Sequence, residues 1–344
     1  MKLTFTLFAC ICLFGLSTTT AQKKNDYAAK IDSIMMASDP IPFNGVVLIR
    51  KKGKTVYAKA KGFKNFEAKI PLKMDDQFEV MSNSKQVTAV LILKEVEKGN
   101  VDLQSPIKKY LPHLTQSWAD SVTVHQLLNH THGIVDTEQP LAFKPGSTFK
   151  YGNLSYILLG EIIERCTKKT YATVANDLFK TLKMNNTFCY QPDNKQRLVN
   201  GYMNTENTFK KVEKSFLNAA LVPAAGIIST AFDLSIWNAA LHKGKLLQSE
   251  TYKQMTTAST QSQHDVFGKE NRGFGYNIRI IKEAGFNYYG VTGLGDGFTC
   301  LNVYFPNSDV SLIILENQMP ENSAYWSYKE AAIKNILLKS SILQ

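Results

Sequence analysis

The sequence predicts a mixed α/β (α+β) fold in which strands from both ends of the chain form one antiparallel sheet. Strand patterns occur near both ends of the 344 residues, and mostly helical patterns fill the middle, from about residue 86 to about residue 247. No internal repeat or flexible linker divides the sequence. We therefore expect residues 22–344 to form one unit, with helices flanking the sheet and a functional cleft between sheet and helical insertion.

The N-terminal part of this unit is predicted to be a helix followed by a β-hairpin. Residues 27–37 have helical periodicity, and Pro40 and Pro42 end it. Residues 46–49 and 55–60 have the alternation of two strands around Lys52-Gly53-Lys54. The hairpin supplies the first strands of the sheet.

The C-terminal part is predicted to contain four strands and a closing helix. The strand patterns cover residues 275–281, 286–291, 298–305 and 310–317. Residues 324–338 have helical periodicity.

The first 21 residues have the pattern of a secretory signal. Lys2 precedes an apolar run over residues 5–16, and small polar residues lead to a cleavage site after Ala21. The run is shorter than the ~20 residues that span a bilayer. We expect a periplasmic or secreted protein with no transmembrane span after the signal is removed.

Charge and cysteine content exclude other classes. The formal charge of +11 falls to +10 without Lys2, and the lysines are dispersed, which is typical of solvated surfaces and not of a nucleic-acid interface. Cys166, Cys189 and Cys300 remain after signal removal, so at most one disulfide can form among them and no disulfide framework is expected.

The stretch "FEVMSNSKQVTAVLILKEVEKGN" (78–100) places Ser82 and Lys85 three residues apart at the start of a helix that ends near Gly99. Ser82 is either a helix cap or a nucleophile. As a nucleophile it needs a group that removes its proton, and Lys85 is within reach one turn later.

A second polar pair, Tyr151 and Asn153, precedes another amphipathic helix. A phenol beside a lysine can share proton transfer, and an amide can orient a substrate carbonyl. The alternatives are a core or rim tyrosine and an asparagine helix cap.

Together these stretches resemble the serine β-lactamase and penicillin-binding-protein superfamily, in its class C-like branch of peptidases and esterases. The resemblance covers most of the mature chain and is carried by the following segments: "FEVMSNSKQVTAVLILKEVEKGNVDLQSPIKKYLP", "VTVHQLLNHTHGI", "PGSTFKYGNLSYILLG", "PAAGIISTAFDLSIWNAAL" and "YYGVTGLGDGF". It implies a β-lactamase/transpeptidase-like fold.

The resemblance also implies roles for individual residues. Ser82 would be the nucleophile, Lys85 its proton partner, Tyr151 a general acid or base and Asn153 a substrate-orienting amide. The family's Lys/His-Thr-Gly strand corresponds to Val291, Thr292 and Gly293, where valine replaces the cation. The backbone N–H of Leu294 would complete an oxyanion hole with that of Ser82.

We therefore expect an exported serine hydrolase that cleaves a small amide or peptide bond through an acyl-enzyme. A carboxylesterase is the alternative, because Val291 weakens carboxylate recognition, and a catalytically silent peptide- or peptidoglycan-binding relative is another. No cofactor or metal is expected, since His125, His130 and His132 lack the spacing of a zinc site. The expected partner is a small-molecule or peptide substrate, and the expected state is a monomer.

Overall fold

The computed structural model describes residues 26–192 and 197–344, so the predicted signal at 1–21 lies outside the described residues. Within them are nine α-helices: α1 Asp26–Met36, α2 Ser84–Glu97, α3 Val124–Leu128, α4 Leu154–Thr167, α5 Tyr171–Thr181, α6 Val222–Ala225, α7 Ala231–His242, α8 Ser249–Thr256 and α9 Tyr328–Leu338.

The same residues contain sixteen strands: β1 Gly45–Lys51, β2 Lys54–Lys61, β3 Phe63–Asn65, β4 Ile70–Pro71, β5 Phe78–Glu79, β6 Phe188–Cys189, β7 Tyr202–Thr205, β8 Thr208–Lys211, β9 Ile227–Ser229, β10 Thr260–Ser262, β11 Arg272–Phe274, β12 Arg279–Glu283, β13 Phe286–Gly295, β14 Phe298–Phe305, β15 Val310–Glu316 and β16 Met319–Pro320.

The main sheet joins the two ends of the chain, as the sequence predicts. Its eight strands lie in the order β10-β11-β12-β13-β14-β15-β1-β2, and all neighbours are antiparallel. β1 pairs with β15 from Gly45 opposite Glu316 to Lys51 opposite Val310. This pairing confirms the predicted α+β architecture.

The sheet is covered on both faces. Along β1, Val46 and Leu48 belong to the core shared with the helical region, whereas Val47 and Ile49 face a second core under α1 and α9. Successive strand residues point to opposite faces, so one apolar run contributes side chains to two cores. The helical region thereby lies on one side of the sheet and the terminal helices on the other.

Three predicted boundaries in the C-terminal half are wrong. The strand predicted over 286–291 extends to Gly295 as β13. Residues 275–278 form a tight turn, in which the Gly275 N–H donates to the Ile278 carbonyl at 2.9 Å, so β12 begins only at Arg279. The closing helix begins at Tyr328, after a 3₁₀ turn over Ser323–Tyr325. The short strands β10 and β11 had no predicted counterpart.

The helix after Ser82 ends at Glu97, and Gly99 adopts a left-handed φ of 76°, as predicted for a helix terminator. α2 is buried on nearly all sides and packs against α4 and α6. Cys166, Cys189 and Cys300 are free thiols. Within the described residues, no helix combines the length and apolar character needed to cross a bilayer.

Candidate active site

Ser82 lies in a 3₁₀ turn over Met81–Asn83, directly before α2. The turn is fixed from both sides: the Val80 N–H donates to the Ile227 carbonyl at 3.0 Å, and the Ile227 N–H donates to Ser84 Oγ at 2.9 Å. Met81 has a left-handed φ of 48°, which is uncommon for a bulky side chain and typical of strained functional turns. The N-cap position of α2 is Asn83, so Ser82 is not the helix cap.

Lys85 is fully buried, and its Nζ contacts Ser82 Oγ at 3.1 Å, Asn153 Oδ1 at 2.7 Å and the Ala224 carbonyl at 3.0 Å. The two carbonyl oxygens can only accept hydrogen bonds. Both oxygens take an N–H from Lys85, so the remaining position of the amine points at Ser82 Oγ. The contacts therefore orient the amine toward the serine hydroxyl.

Tyr151 lies over this amine. Its ring centroid is 4.9 Å from Lys85 Nζ, and its side chain is 42% exposed on the wall of a cavity that Ser82 also lines. The buried His130 ring packs against Tyr151 with centroids 4.5 Å apart. Burial, with the Lys85 charge nearby, lowers the pKa of His130 well below its usual value, so this ring is a neutral support for the tyrosine.

Asn153 occupies the N-cap position of α4, but its side chain makes no capping hydrogen bond. Its Oδ1 accepts from Lys85 instead. The structure thus brings Ser82, Lys85, Tyr151 and Asn153 together, although 68 residues separate Lys85 from Asn153.

Thr292 lies on the opposite wall, on β13, beside two groups that the sequence analysis did not identify. His264 Nδ1 accepts from the Val266 N–H, which leaves its Nε2–H to donate to Thr292 Oγ1 at 3.1 Å. Arg279 Nη1 also donates weakly to this oxygen, at 3.4 Å. Because Thr292 Oγ1 accepts from both neighbours, its own O–H is free to donate into the cavity.

Arg279 is 8% exposed and lines the cavity between the rings of Phe267 and Phe274. Its Nε is buried without a hydrogen-bond partner. Burial lowers the pKa of the guanidinium to about 10, so Arg279 remains a cation at neutral pH. Burial and the Arg279 charge lower the pKa of His264 to about 3, so the histidine is neutral.

Val291 is 4% exposed and packs in the core under β13, so its side chain is not part of the cavity wall. Thr292, Gly293 and Leu294 do line the cavity. An ideal Cβ on Gly293 would lie 2.3 Å from the Val80 carbonyl oxygen, so only glycine lets β13 approach the turn that carries Ser82. The backbone thus brings Leu294 close to the predicted nucleophile.

The histidines of the stretch "HQLLNHTHG" have partners within the protein. His125 Nδ1 lies 2.8 Å from the Tyr276 hydroxyl, and His132 Nδ1 accepts from the Ile134 N–H at 3.0 Å. Within residues 26–192 and 197–344, no three His, Cys, Asp or Glu side chains are grouped to hold a metal ion.

The family model described as Beta-lactamase matches residues 43–333, which include every residue of this cleft named above. The chain belongs to the Beta-lactamase family. Protein Flp from Staphylococcus aureus (strain N315) is 26% identical over 325 residues, covering 85% of this chain and 64% of Flp. The chain therefore spans less than two thirds of that curated relative.

Solved structures of other proteins share the fold of this Beta-lactamase family member. The octameric penicillin-binding protein homologue from Pyrococcus abyssi has a TM-score of 0.76 at 24% identity, covering 91% of this chain and 76% of the homologue. The D-amino acid amidase from Ochrobactrum anthropi SV3, complexed with L-phenylalanine, has a TM-score of 0.78 at 20% identity, covering 91% of this chain and 99% of the amidase. These similarities confirm the predicted β-lactamase/transpeptidase-like fold.

Proposed function

We propose that the chain is an exported serine hydrolase that cleaves a small amide or peptide bond through an acyl-enzyme on Ser82. The contact between Lys85 Nζ and Ser82 Oγ at 3.1 Å carries this proposal, because two acceptor-only oxygens orient the amine toward the hydroxyl. Membership of the Beta-lactamase family supports it.

The positions of these groups support the following reaction. Ser82 Oγ attacks the substrate carbonyl while Lys85 takes its proton, and the proton passes by way of Tyr151 to the leaving group. The backbone N–H groups of Ser82 and Leu294 stabilise the oxyanion. Water then releases the acyl group from Ser82, with no cofactor required.

The Arg279 guanidinium and the Thr292 hydroxyl favour substrates with a carboxylate on the leaving group. They line the same cavity as Tyr151, which must deliver a proton to that group. The buried Arg279 Nε has no hydrogen-bond partner among the described residues, and a guanidinium with an unpaired donor binds a carboxylate well. This anion site supports amide and peptide substrates of the carboxypeptidase type over simple esters.

Labelling with a fluorophosphonate or a fluorescent penicillin tests the proposal. We expect the wild-type protein to be labelled and Ser82→Ala to lose the label, because the acylated atom is removed. Ser147→Ala, which changes an exposed serine, is the matched control and should label normally. If no acylating probe labels the wild-type protein, the silent binding relative is the better interpretation.

Substrate comparison separates the hydrolase subclasses. Hydrolysis of D-amino acid anilides or nitrocefin supports the amide hydrolase. Activity confined to p-nitrophenyl acetate or butyrate would support the carboxylesterase.

We also propose that the protein acts outside the cytoplasm as a monomer. The predicted signal at residues 1–21 supports export. N-terminal sequencing of protein from the cell envelope or medium should start at Gln22, and an intact Met1 would contradict export. Light scattering of the mature protein tests the monomer.

A further inference from the structure

Phe216 is an aromatic side chain at the rim of the cleft that the proposed mechanism does not use. It is 44% exposed, although most large apolar side chains of this fold are buried. An ideal Cβ on Gly295 would lie 3.0 Å from Phe216 Cε1 and 3.2 Å from Met81 Sδ. The ring therefore rests on the end of β13, beside the residue that precedes Ser82.

Asp296 holds this ring in place. Its Oδ2 accepts from Ser215 Oγ at 2.5 Å and from the Phe216 N–H at 3.0 Å. Ser215 Oγ in turn accepts from the Leu217 N–H at 3.0 Å. Ser215 and Phe216 thus bond directly to the turn between β13 and β14, so Phe216 is held against this turn although it is exposed.

Phe216 packs against Gly295 at the end of β13, and this position indicates which half of the substrate it would contact. The leaving-group side of the cleft is the cavity that holds Tyr151, Arg279 and Thr292, and Phe216 is not among its lining residues. Gly295 lies three residues beyond Thr292, which is about 10 Å along an extended strand. The two halves of a substrate leave the carbonyl carbon in different directions, so Phe216 lies toward the acyl half.

We propose that Phe216, held by Asp296, is a specificity-determining residue that binds the apolar part of the acyl group. The substrate class is acyl donors with an aromatic or similarly bulky apolar acyl side chain, in preference to acetyl. This inference rests on the proposed acyl-enzyme chemistry at Ser82.

Two esters with the same leaving group test it: p-nitrophenyl phenylacetate and p-nitrophenyl acetate. We expect Phe216→Ala to lower kcat/KM roughly 10-fold for the phenylacetyl ester, because an aromatic contact is lost, and less than about 2-fold for the acetyl ester. Phe216→Tyr should retain the preference. Met36→Ala, which truncates another exposed apolar residue, should change neither ester.

The role of Asp296 is tested by Asp296→Gly, which keeps a residue suited to the positive φ of 51° while it removes the carboxylate. This variant should lose the phenylacetyl preference. In the double variant of Phe216→Ala and Asp296→Gly, kcat/KM for the phenylacetyl ester should be no lower than in Phe216→Ala alone. Additive losses in the double variant would contradict the positioning role.

The outcomes separate this inference from the proposed function. If Ser82 is labelled by a fluorophosphonate but Phe216→Ala affects both esters equally or neither, the assignment of Phe216 is wrong and the hydrolase stands. If wild-type Ser82 is not labelled, the hydrolase and the assignment of Phe216 are both overturned.

Discussion

At the residue scale, the proposed preference for a substrate carboxylate rests on Arg279. Of the described residues that line the cavity, it is the one with a permanent positive charge, and its Nε has no partner. A buried cation is costly unless an anion accompanies it. A substrate carboxylate would supply that anion in the bound state, while the free Thr292 O–H would donate a second hydrogen bond.

We expect Arg279→Gln to raise KM roughly 10- to 100-fold for amides with a carboxylate on the leaving group, because charge-assisted hydrogen bonds contribute about 1.5–3 kcal/mol. KM for matched amides without the carboxylate should change little. Steady-state kinetics on both substrates is the measurement, and Arg165→Gln on the outside of α4 is the control. Equal effects on both substrates would show that Arg279 supports the fold and not the carboxylate.

The individual site residues differ in how well they can be predicted from the sequence. Four site residues stand in ordered sequence motifs. The structure brings Ser82, Tyr151 and Asn153 within contact distance of the fourth, Lys85. The cation of the cleft could not be located in this way, because Arg279 begins a short strand, RIIKE, that also contains Lys282 and Glu283, and no local motif distinguishes it. Its approach to Thr292 depends on the register of β12 and β13.

At the element scale, the site depends on how closely β13 approaches the turn before α2. This approach lets one strand supply Thr292 to the proposed leaving-group side and Leu294 to the expected oxyanion hole. Gly293 makes it possible, because a Cβ there would also lie 3.0 Å from Met81 Cβ. A small displacement of the strand would move the backbone donor away from the carbonyl oxygen.

We expect Gly293→Ala to lower the rate of acylation by about 100- to 1,000-fold, as the loss of one oxyanion donor does. Stopped-flow measurement of the acylation rate tests this, with circular dichroism to confirm folding. Gly152→Ala is the matched control, since a Cβ at Gly152 meets no atom within 4 Å. Normal acylation by folded Gly293→Ala would show that the close approach is not required.

At the scale of the whole molecule, the sheet is the part that sequence predicts best. β14 and β15 are buried along their whole length, and their apolar runs mark them clearly. The edge strand β10 and its neighbour β11 have three residues each and contain polar residues and glycine, so their pairing depends on tertiary contacts. The two cores on either side of the sheet also bury several ionisable side chains, and these make stability depend on pH.

His242 is a half-buried example that is enclosed by tyrosine rings. Its ring lies parallel to the rings of Tyr289 and Tyr304, with centroids 5.0 Å and 4.4 Å away, and its Nδ1 is 2.9 Å from the Tyr252 hydroxyl. Burial lowers the pKa of His242 to about 3, whereas an unfolded histidine titrates near 6.5. The unfolded chain therefore binds more protons between these values, and stability is lost as the pH falls through this window.

Other buried groups also make the free energy of unfolding depend on pH in this range, some in the same direction as His242 and some in the opposite direction. Burial lowers the pKa of His132 to about 4 and that of His264 to about 3. Protonation of either histidine in acid therefore destabilises the folded protein, as protonation of His242 does. Burial raises the pKa of Glu316 and of Glu330. Ionisation of these carboxyl groups therefore destabilises the folded protein as the pH rises. A single variant compared with wild type across pH isolates the contribution of His242.

We expect the free energy of unfolding to fall less between pH 7 and pH 5 in His242→Phe than in wild type, by about 2 kcal/mol, because the variant keeps the ring stack but has no group to protonate. Urea unfolding at several pH values measures the difference. Tyr252→Phe is the control: it removes the hydroxyl that contacts His242 but keeps the titrating ring, so its pH dependence should follow wild type even if the protein is less stable throughout. An unchanged pH dependence in His242→Phe would mean that this ring does not contribute to acid destabilisation.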